Sequence, residues 1–177
     1  TVYKLSEDES TIDVPFAFGR NRIERKVEDE RDLSEAKGFV GTLRPLQEQI
    51  RTAAVRILKE TGSVVVSAEP GFGKTITTIE MMCRINLPTV IFVKQSVLVD
   101  QWKRSIADFA PHKKVVEVVS KKPFDEDADV YILNPIILKK DCDPKKFSRI
   151  KLLIVDELHQ IVTKILCRAF FGFRVDY

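Results

Sequence analysis

The segment SVVVSAEPGFGKT, at positions 63–75, restricts the fold more than any other stretch of the chain. Its three valines predict a short buried strand, Gly71 and Gly73 a tight turn, and Lys74 and Thr75 the start of a helix. In such a strand–turn–helix unit, successive backbone N–H groups can turn inward, and the helix dipole adds positive charge at the same point. The loop is therefore predicted to bind an anion.

The chemistry of the loop indicates which anion. A small residue, Ala68, precedes four positions and then Gly-Lys-Thr, although the stricter form of this motif has glycine where Ala68 stands. Lys74 can reach the β- and γ-phosphates of a nucleotide, and the Thr75 hydroxyl can bind Mg²⁺. An ordinary glycine-rich turn with an exposed lysine is the alternative. The predicted nucleotide-binding residues are Glu69, Pro70, Gly71, Phe72, Gly73, Lys74, Thr75 and Ile76.

Hydrophobic patterning from position 42 onward alternates between strand and helix. Helices are predicted after Pro45, after the loop, and around Leu98 to Phe109, with a last one at ELHQIVTKILCRAF. This alternation predicts an α/β fold with a mainly parallel sheet covered by helices on both faces. Strands are predicted at SVVVSA (63–68), TVIFV (89–93), KVVEVV (114–119), DVYIL (129–133) and KLLIVD (151–156).

Composition sets wider limits. The length of 177 residues suits one domain, residues 42–177, preceded by a charged extension over residues 1–41 in which only VPFAF is suited to burial. That extension is predicted to be a solvated helix or a flexible arm.

A net charge of +3 permits nucleic-acid binding without requiring it. No apolar run is long enough to span a membrane, so no membrane partner is expected. Three widely spaced cysteines argue against a disulfide framework or a zinc site, and for a reducing intracellular compartment: Cys83, Cys142 and Cys167.

Two acidic residues lie at the carboxyl end of the last predicted strand, in the segment LLIVDELH. In an open parallel sheet, ligands bind at the carboxyl ends of the strands, where these carboxylates are expected to lie. Asp156 is assigned to the Mg²⁺ shell and Glu157 to orienting or deprotonating the attacking water. The alternative is a helix start, which favours acidic residues for its dipole.

Together these motifs resemble a known family. Gly-Phe-Gly-Lys-Thr followed by Asp-Glu-Leu-His resembles the DExH helicases of superfamily 2. The segments LRPLQ, KQSVLVDQW and ILNPIIL resemble further segments of that family, and VPFAFGR and VDELHQIVT are most similar to helicases of large cytoplasmic DNA viruses. The resemblance implies that the chain has a P-loop NTPase fold and is the first RecA-like lobe of an ATP-dependent helicase. The implied partner is a DNA or RNA strand, with DNA favoured.

Further site residues follow from the resemblance. The Gln47 amide has the geometry to pair with N6 and N7 of adenine, and the resemblance favours this role over that of an exposed polar residue. Arg44 is expected to stack on the base or to bind a phosphate. The alternative is that it is an ordinary surface arginine. His159 is expected to couple the nucleotide and nucleic-acid sites. Contacts to nucleic-acid phosphates are expected from Lys94, Gln95, Ser96 and Lys121. The family usually has Pro-Thr or Pro-Ser after the second strand, which this sequence lacks, and Lys121 equally fits a solvated turn.

The same resemblance implies a second RecA-like lobe, which contributes arginines to the γ-phosphate and which these 177 residues lack. Residues 1–177 alone are therefore expected to bind nucleotide weakly, to hydrolyse it slowly or not at all, and not to unwind a duplex. A viral relationship would place the protein in the host cytoplasm or the virion. Two other functions remain open: a P-loop ATPase or kinase with a non-nucleic-acid substrate, and a catalytically silent nucleotide-binding module.

Overall fold

The computed structural model describes residues 4–5, 12–13, 32–120, 125–139, 144–158 and 175–177. Its α-helices are α1 (Pro45–Thr61), α2 (Lys74–Ile85) and α3 (Ser96–Phe109). Its strands are β1 (Lys4–Leu5), β2 (Ile12–Asp13), β3 (Thr89–Phe92), β4 (Val115–Glu117), β5 (Val130–Leu133) and β6 (Leu152–Val155). Two 3-10 turns, Pro135–Lys139 and Pro144–Phe147, join β5 to β6. None of the helices in these residues has the length and apolar character needed to cross a bilayer.

The central sheet has the strand order β4-β5-β3-β6, and every pair in it is parallel. Strand β3 lies between β5 and β6, with Phe92 opposite both Leu133 and Val155. The carboxyl ends of these three strands therefore lie side by side at one end of the sheet. The polar residues predicted to form the site directly follow these strand ends. The parallel α/β architecture is confirmed.

Alternation along the strands divides the core into two clusters, one on each face of the sheet. Ile91 and Val93 point toward α1, α2 and α3, which contribute Leu58, Ile79 and Trp102 to the same buried cluster. On the opposite face the buried side chains are Val90, Phe92, Ala128, Tyr131, Leu133, Phe147, Ile150 and Val175. The last predicted helix, at positions 157–170, lies almost entirely outside the described residues.

The charged extension contains structure that its composition does not predict. Strands β1 and β2 form a short antiparallel pair with Leu5 opposite Ile12. Closer to the first helix, Leu33 is buried in the helix-side core, and Phe39 stacks on Phe109 with ring centroids 6.2 Å apart. The packed core thus includes residues that precede position 42.

The predicted strand at 63–68 is wrong. No part of this segment is a strand in the structure, Val65 is 74% exposed, and only Val64 packs against the core cluster. Strand β6 is bordered on its outer side by the last residues of the chain, since Tyr177 N–H donates to Lys151 O at 3.0 Å and Leu153 N–H donates to Tyr177 O at 2.9 Å. The edge next to β6 is therefore occupied, and the valine segment pairs with no strand among the described residues.

Candidate nucleotide and nucleic-acid site

The glycine-rich loop is closed around its own lysine. The Lys74 ammonium donates to the carbonyl oxygens of Ala68 and Glu69, at 2.9 and 3.4 Å. Helix α2 begins at Lys74, so the first-turn N–H groups of the helix open at the same point and have no partner within the helix. An anion entering the loop would meet these N–H groups, and the ammonium can exchange its carbonyl partners for phosphate oxygens.

Gly71 and Gly73 both have positive φ, +79° and +91°, but only one of them is crowded. A Cβ at Gly71 would have open space, whereas one at Gly73 would lie 2.4 Å from Gln47 Nε2. Gly73 is thus required both for its backbone conformation and for the close approach of a side chain from α1.

Gln47 is buried, at 3% exposure, and both ends of its amide are engaged. Its Oε1 accepts from the Arg44 N–H at 2.8 Å, which caps α1, and its Nε2 donates to the Phe72 carbonyl at 2.7 Å. The Arg44 guanidinium donates to the same carbonyl and, at 3.3 Å, to Gly71 O. The structure therefore brings the predicted adenine-site pair into direct contact with the phosphate loop.

Asp156 and Glu157 follow β6 directly, at the carboxyl edge of the sheet. The Asp156 N–H donates to Phe92 O at 3.0 Å, which continues the β3–β6 ladder, and its Oδ2 accepts from the Trp102 indole N–H at 2.8 Å. Glu157 has a positive φ of +50°, which is uncommon for a residue with a side chain and often marks functional turns.

The oxygen donors here are of the type that Mg²⁺ prefers. Asp156 offers a carboxylate and Thr75, in the first turn of α2, a hydroxyl. In the part of the chain that the structure describes, no three His, Cys, Asp or Glu side chains gather as a metal cluster.

A second concave surface lies at the ends of β3, β4 and β5. This cavity, of about 330 Å³, is lined by polar and apolar side chains that include Gln95, Ser96, Ser120 and Asn134. The Asn134 amide donates to the Lys94 carbonyl at 2.8 Å and so ties the end of β5 to the end of β3. The groove thus collects Gln95 and Ser96, two of the predicted nucleic-acid contacts, and has Lys94, whose side chain is exposed, at its edge.

Two predicted site residues, His159 and Lys121, lie outside the described residues. Two contacts were missed by sequence reasoning: the bond from Trp102 to Asp156 and the bridge made by Asn134. A polar residue directly after a strand was the available signal for Asn134. Trp102 lies in the helix-side core, and nothing in its spacing indicates which polar group its N–H meets.

Cys83 is the described cysteine, and it is not a candidate nucleophile. It is fully buried on α2, and burial raises the pKa of its thiol from 9.0 to about 11, despite an opposing influence from Lys113. The thiol is therefore protonated near neutral pH, and its role is packing.

Comparison with known proteins identifies relatives for most of the chain. The family model described as "Type III restriction enzyme, res subunit" matches residues 41–171. A candidate helicase, 109L of Invertebrate iridescent virus 3, is 37% identical over 94% of this chain, and a second, 055L of Frog virus 3 (isolate Goorha), is 32% identical over 91%. The chain spans 56% of the first relative and 37% of the second.

Among solved structures, the chain is similar to the SWI2/SNF2 ATPase core of Sulfolobus solfataricus in complex with dsDNA. The TM-score is 0.71 with 22% sequence identity, over 83% of this chain and 33% of that one. The core domain of the same ATPase also matches, with a TM-score of 0.62. These matches confirm the RecA-like fold class predicted from the motifs.

Proposed function

Because residues 41–171 match its model, the chain belongs to the family of the type III restriction enzyme res subunit within the superfamily 2 helicases, and we propose that it is the ATP-binding motor lobe of a helicase or translocase. One observation carries the proposal. A glycine-rich loop closed on its own lysine leads into α2, and an Asp-Glu pair directly follows β6 at the carboxyl end of the parallel sheet.

The loop residues would bind the triphosphate. Lys74 would release Ala68 and Glu69 and hold the β- and γ-phosphates, while backbone N–H groups from Gly71 to Ile76 surround them. Thr75 and Asp156 would hold Mg²⁺, which would neutralise negative charge on the phosphate oxygens. Arg44 and Gln47 would bind the base after releasing the Phe72 carbonyl, to which both side chains now donate. That carbonyl would then be free.

Glu157 would orient the attacking water and accept its proton. Gln47 would select ATP as the nucleotide. Hydrolysis would be fast only when a second RecA-like lobe of the same polypeptide supplies positively charged side chains to the γ-phosphate. The longer relatives support this division, since the chain spans about half or less of their length. His159 is proposed to couple hydrolysis to strand binding.

The nucleic acid would lie along the groove at the ends of β3, β4 and β5. Lys94, Gln95 and Ser96 would contact its phosphates through a side-chain ammonium, backbone N–H groups and a hydroxyl, and Lys121 is proposed as a further contact. The similar archaeal ATPase core was solved in complex with dsDNA, which favours DNA over RNA for this chain.

Nucleotide binding is tested first, with a fluorescent ATP analogue and the 177-residue chain. Lys74→Ala is expected to weaken binding by about tenfold or more, because a charge-assisted contact to phosphate is lost. Lys59→Ala is the matched control, since Lys59 is an exposed lysine in the last turn of α1. Equal affinity in all three proteins would show that Lys74 does not hold the phosphates, and would support the alternative of a catalytically silent module.

The natural full-length protein then tests the motor function. Its ATPase rate is expected to rise when single-stranded DNA is added and to fall in Glu157→Gln, which keeps nucleotide binding. An ATPase that does not respond to DNA or RNA would instead support the alternative of a P-loop enzyme with another substrate.

A further inference from the structure

Trp102 makes a contact to the Asp156 carboxylate that the sequence motifs do not predict. It is buried, at 3% exposure, on the sheet-facing side of α3, and its indole N–H donates to Asp156 Oδ2 at 2.8 Å. An indole has a single donor and no acceptor, so its burial requires one well-placed partner. That partner is a carboxylate 54 residues away in the chain.

The carboxylate is held from two directions. Its backbone N–H is bonded to Phe92 O of β3, which places the residue at the end of the ladder, while Trp102 holds one oxygen of the side chain. The other oxygen, Oδ1, is not used by the indole. With the backbone and Oδ2 both held, rotation about the side-chain bonds of Asp156 is restricted before any ligand arrives.

We propose that Trp102 is a positioning residue for magnesium binding: its N–H holds Oδ2 of Asp156 so that Oδ1 is presented to the Mg²⁺ shell. This inference rests on the proposed nucleotide site. Residues that hydrogen-bond a metal ligand from behind commonly change metal affinity by about 10- to 100-fold when they are lost. Trp102 makes this contact from a helix that does not itself carry a proposed metal ligand.

A purely structural tryptophan would behave differently. Removing packing lowers the stability of the fold and affects every ligand equally, whereas removing the N–H alone should affect only the step that needs Mg²⁺. The readout is therefore the magnesium concentration that half-saturates binding of a fluorescent ADP analogue, compared with the affinity for the same analogue in EDTA.

Trp102 is the only tryptophan in the sequence, which allows an exact replacement. Growth of a tryptophan auxotroph on β-(3-benzothienyl)alanine replaces the indole N–H by sulfur at this position alone and conserves the shape of the ring. Trp102→Phe is the genetic counterpart. Incorporation of 7-azatryptophan, which retains the N–H, is the rescue variant.

Loss of the N–H is expected to raise the half-saturating Mg²⁺ concentration about tenfold, with metal-free nucleotide affinity unchanged and 7-azatryptophan close to wild type. In wild type, the fluorescence of Trp102 should also change when Mg²⁺ is added to the ADP-bound chain, but not when EDTA is present. Unchanged magnesium dependence in the benzothienyl protein would overturn the inference. If wild type bound no nucleotide at all, the proposed function would fail instead, so the two failures are distinguishable.

Discussion

At the scale of single residues, the constraint on the nucleotide loop is concentrated at Gly73. Gly71 and Gly73 share a left-handed backbone, so alanine at either position carries a similar conformational cost of about 1–2 kcal/mol. Only Gly73 has neighbours in the way: the buried amide of Gln47 at 2.4 Å and, less closely, Ile76 Cγ2 at 3.2 Å. The loop is therefore shaped by a side chain that lies outside its motif.

Gly73→Ala is expected to lower the free energy of unfolding by about 1–2 kcal/mol more than Gly71→Ala, because the new methyl group collides with Gln47. In a Gln47→Ala background most of this excess should disappear, with only the contact to Ile76 Cγ2 at 3.2 Å left, while the cost of Gly71→Ala should stay the same. Urea unfolding of the wild type, the three single variants and the two double variants gives both numbers. An excess that persists without Gln47 would show that the collision is not its cause.

At the scale of secondary-structure elements, the valine segment before the loop and strand β3 have similar sequences and different environments. SVVVS and TVIFV are both rich in β-branched residues. Strand β3 is paired on both sides and completely buried, whereas Val65 is largely exposed and outside the sheet. Intrinsic strand preference cannot form a strand without a neighbouring edge to pair with.

Hydrogen exchange of the 177-residue chain measures this difference directly. The amides of Val64 to Ser67 are expected to exchange at close to the unprotected rate, and those of Val90 to Phe92 to be protected by several orders of magnitude, because β3 opens only with the core. Peptides from α3 serve as a helical reference. Comparable protection in the two segments would mean that 63–67 is paired in solution.

At the scale of the whole molecule, one buried charge cluster joins three separate parts of the chain. Glu80 on α2 accepts from Arg84 Nε at 3.1 Å and lies 3.7 Å from Arg51 Nε of α1. Arg84 also donates to Leu33 O at 2.8 Å, and to the carbonyl of Ser34, which anchors the segment before α1. Within the described residues, Glu80 Oε2 and Arg51 Nε are buried without a hydrogen-bond partner, so the cluster is only partly hydrogen-bonded.

Glu80→Ala is expected to lower the free energy of unfolding by about 3 kcal/mol, because the buried charge of Arg84 loses its carboxylate and keeps only backbone carbonyl partners. Asp127→Ala is the matched control, since the pair that Asp127 forms with Arg149 at 3.3 Å is exposed and should contribute about 1 kcal/mol or less. Urea denaturation at neutral pH compares the two. Similar losses in both variants would contradict a structural role for the Glu80 cluster.

Most of the fold, and the place of the glycine-rich loop and the carboxylate pair within it, were predictable from the sequence by itself. Hydrophobic periodicity determined α1, α2, α3 and the four strands of the central sheet, because burial on one face of a helix or both faces of a strand requires a regular spacing of apolar residues. The loop and the carboxylate pair were equally evident, since they depend on glycine conformation and on charge within a few consecutive residues.

Only the tertiary structure decided what depends on residues far apart in the chain. The pairing of strands left the valine segment outside the sheet, Gln47 came to lie against Gly73, and the Trp102 N–H met Asp156. Each of these outcomes results from two elements packing against each other, and local periodicity contains no information about which polar atom or which sheet edge will be the partner.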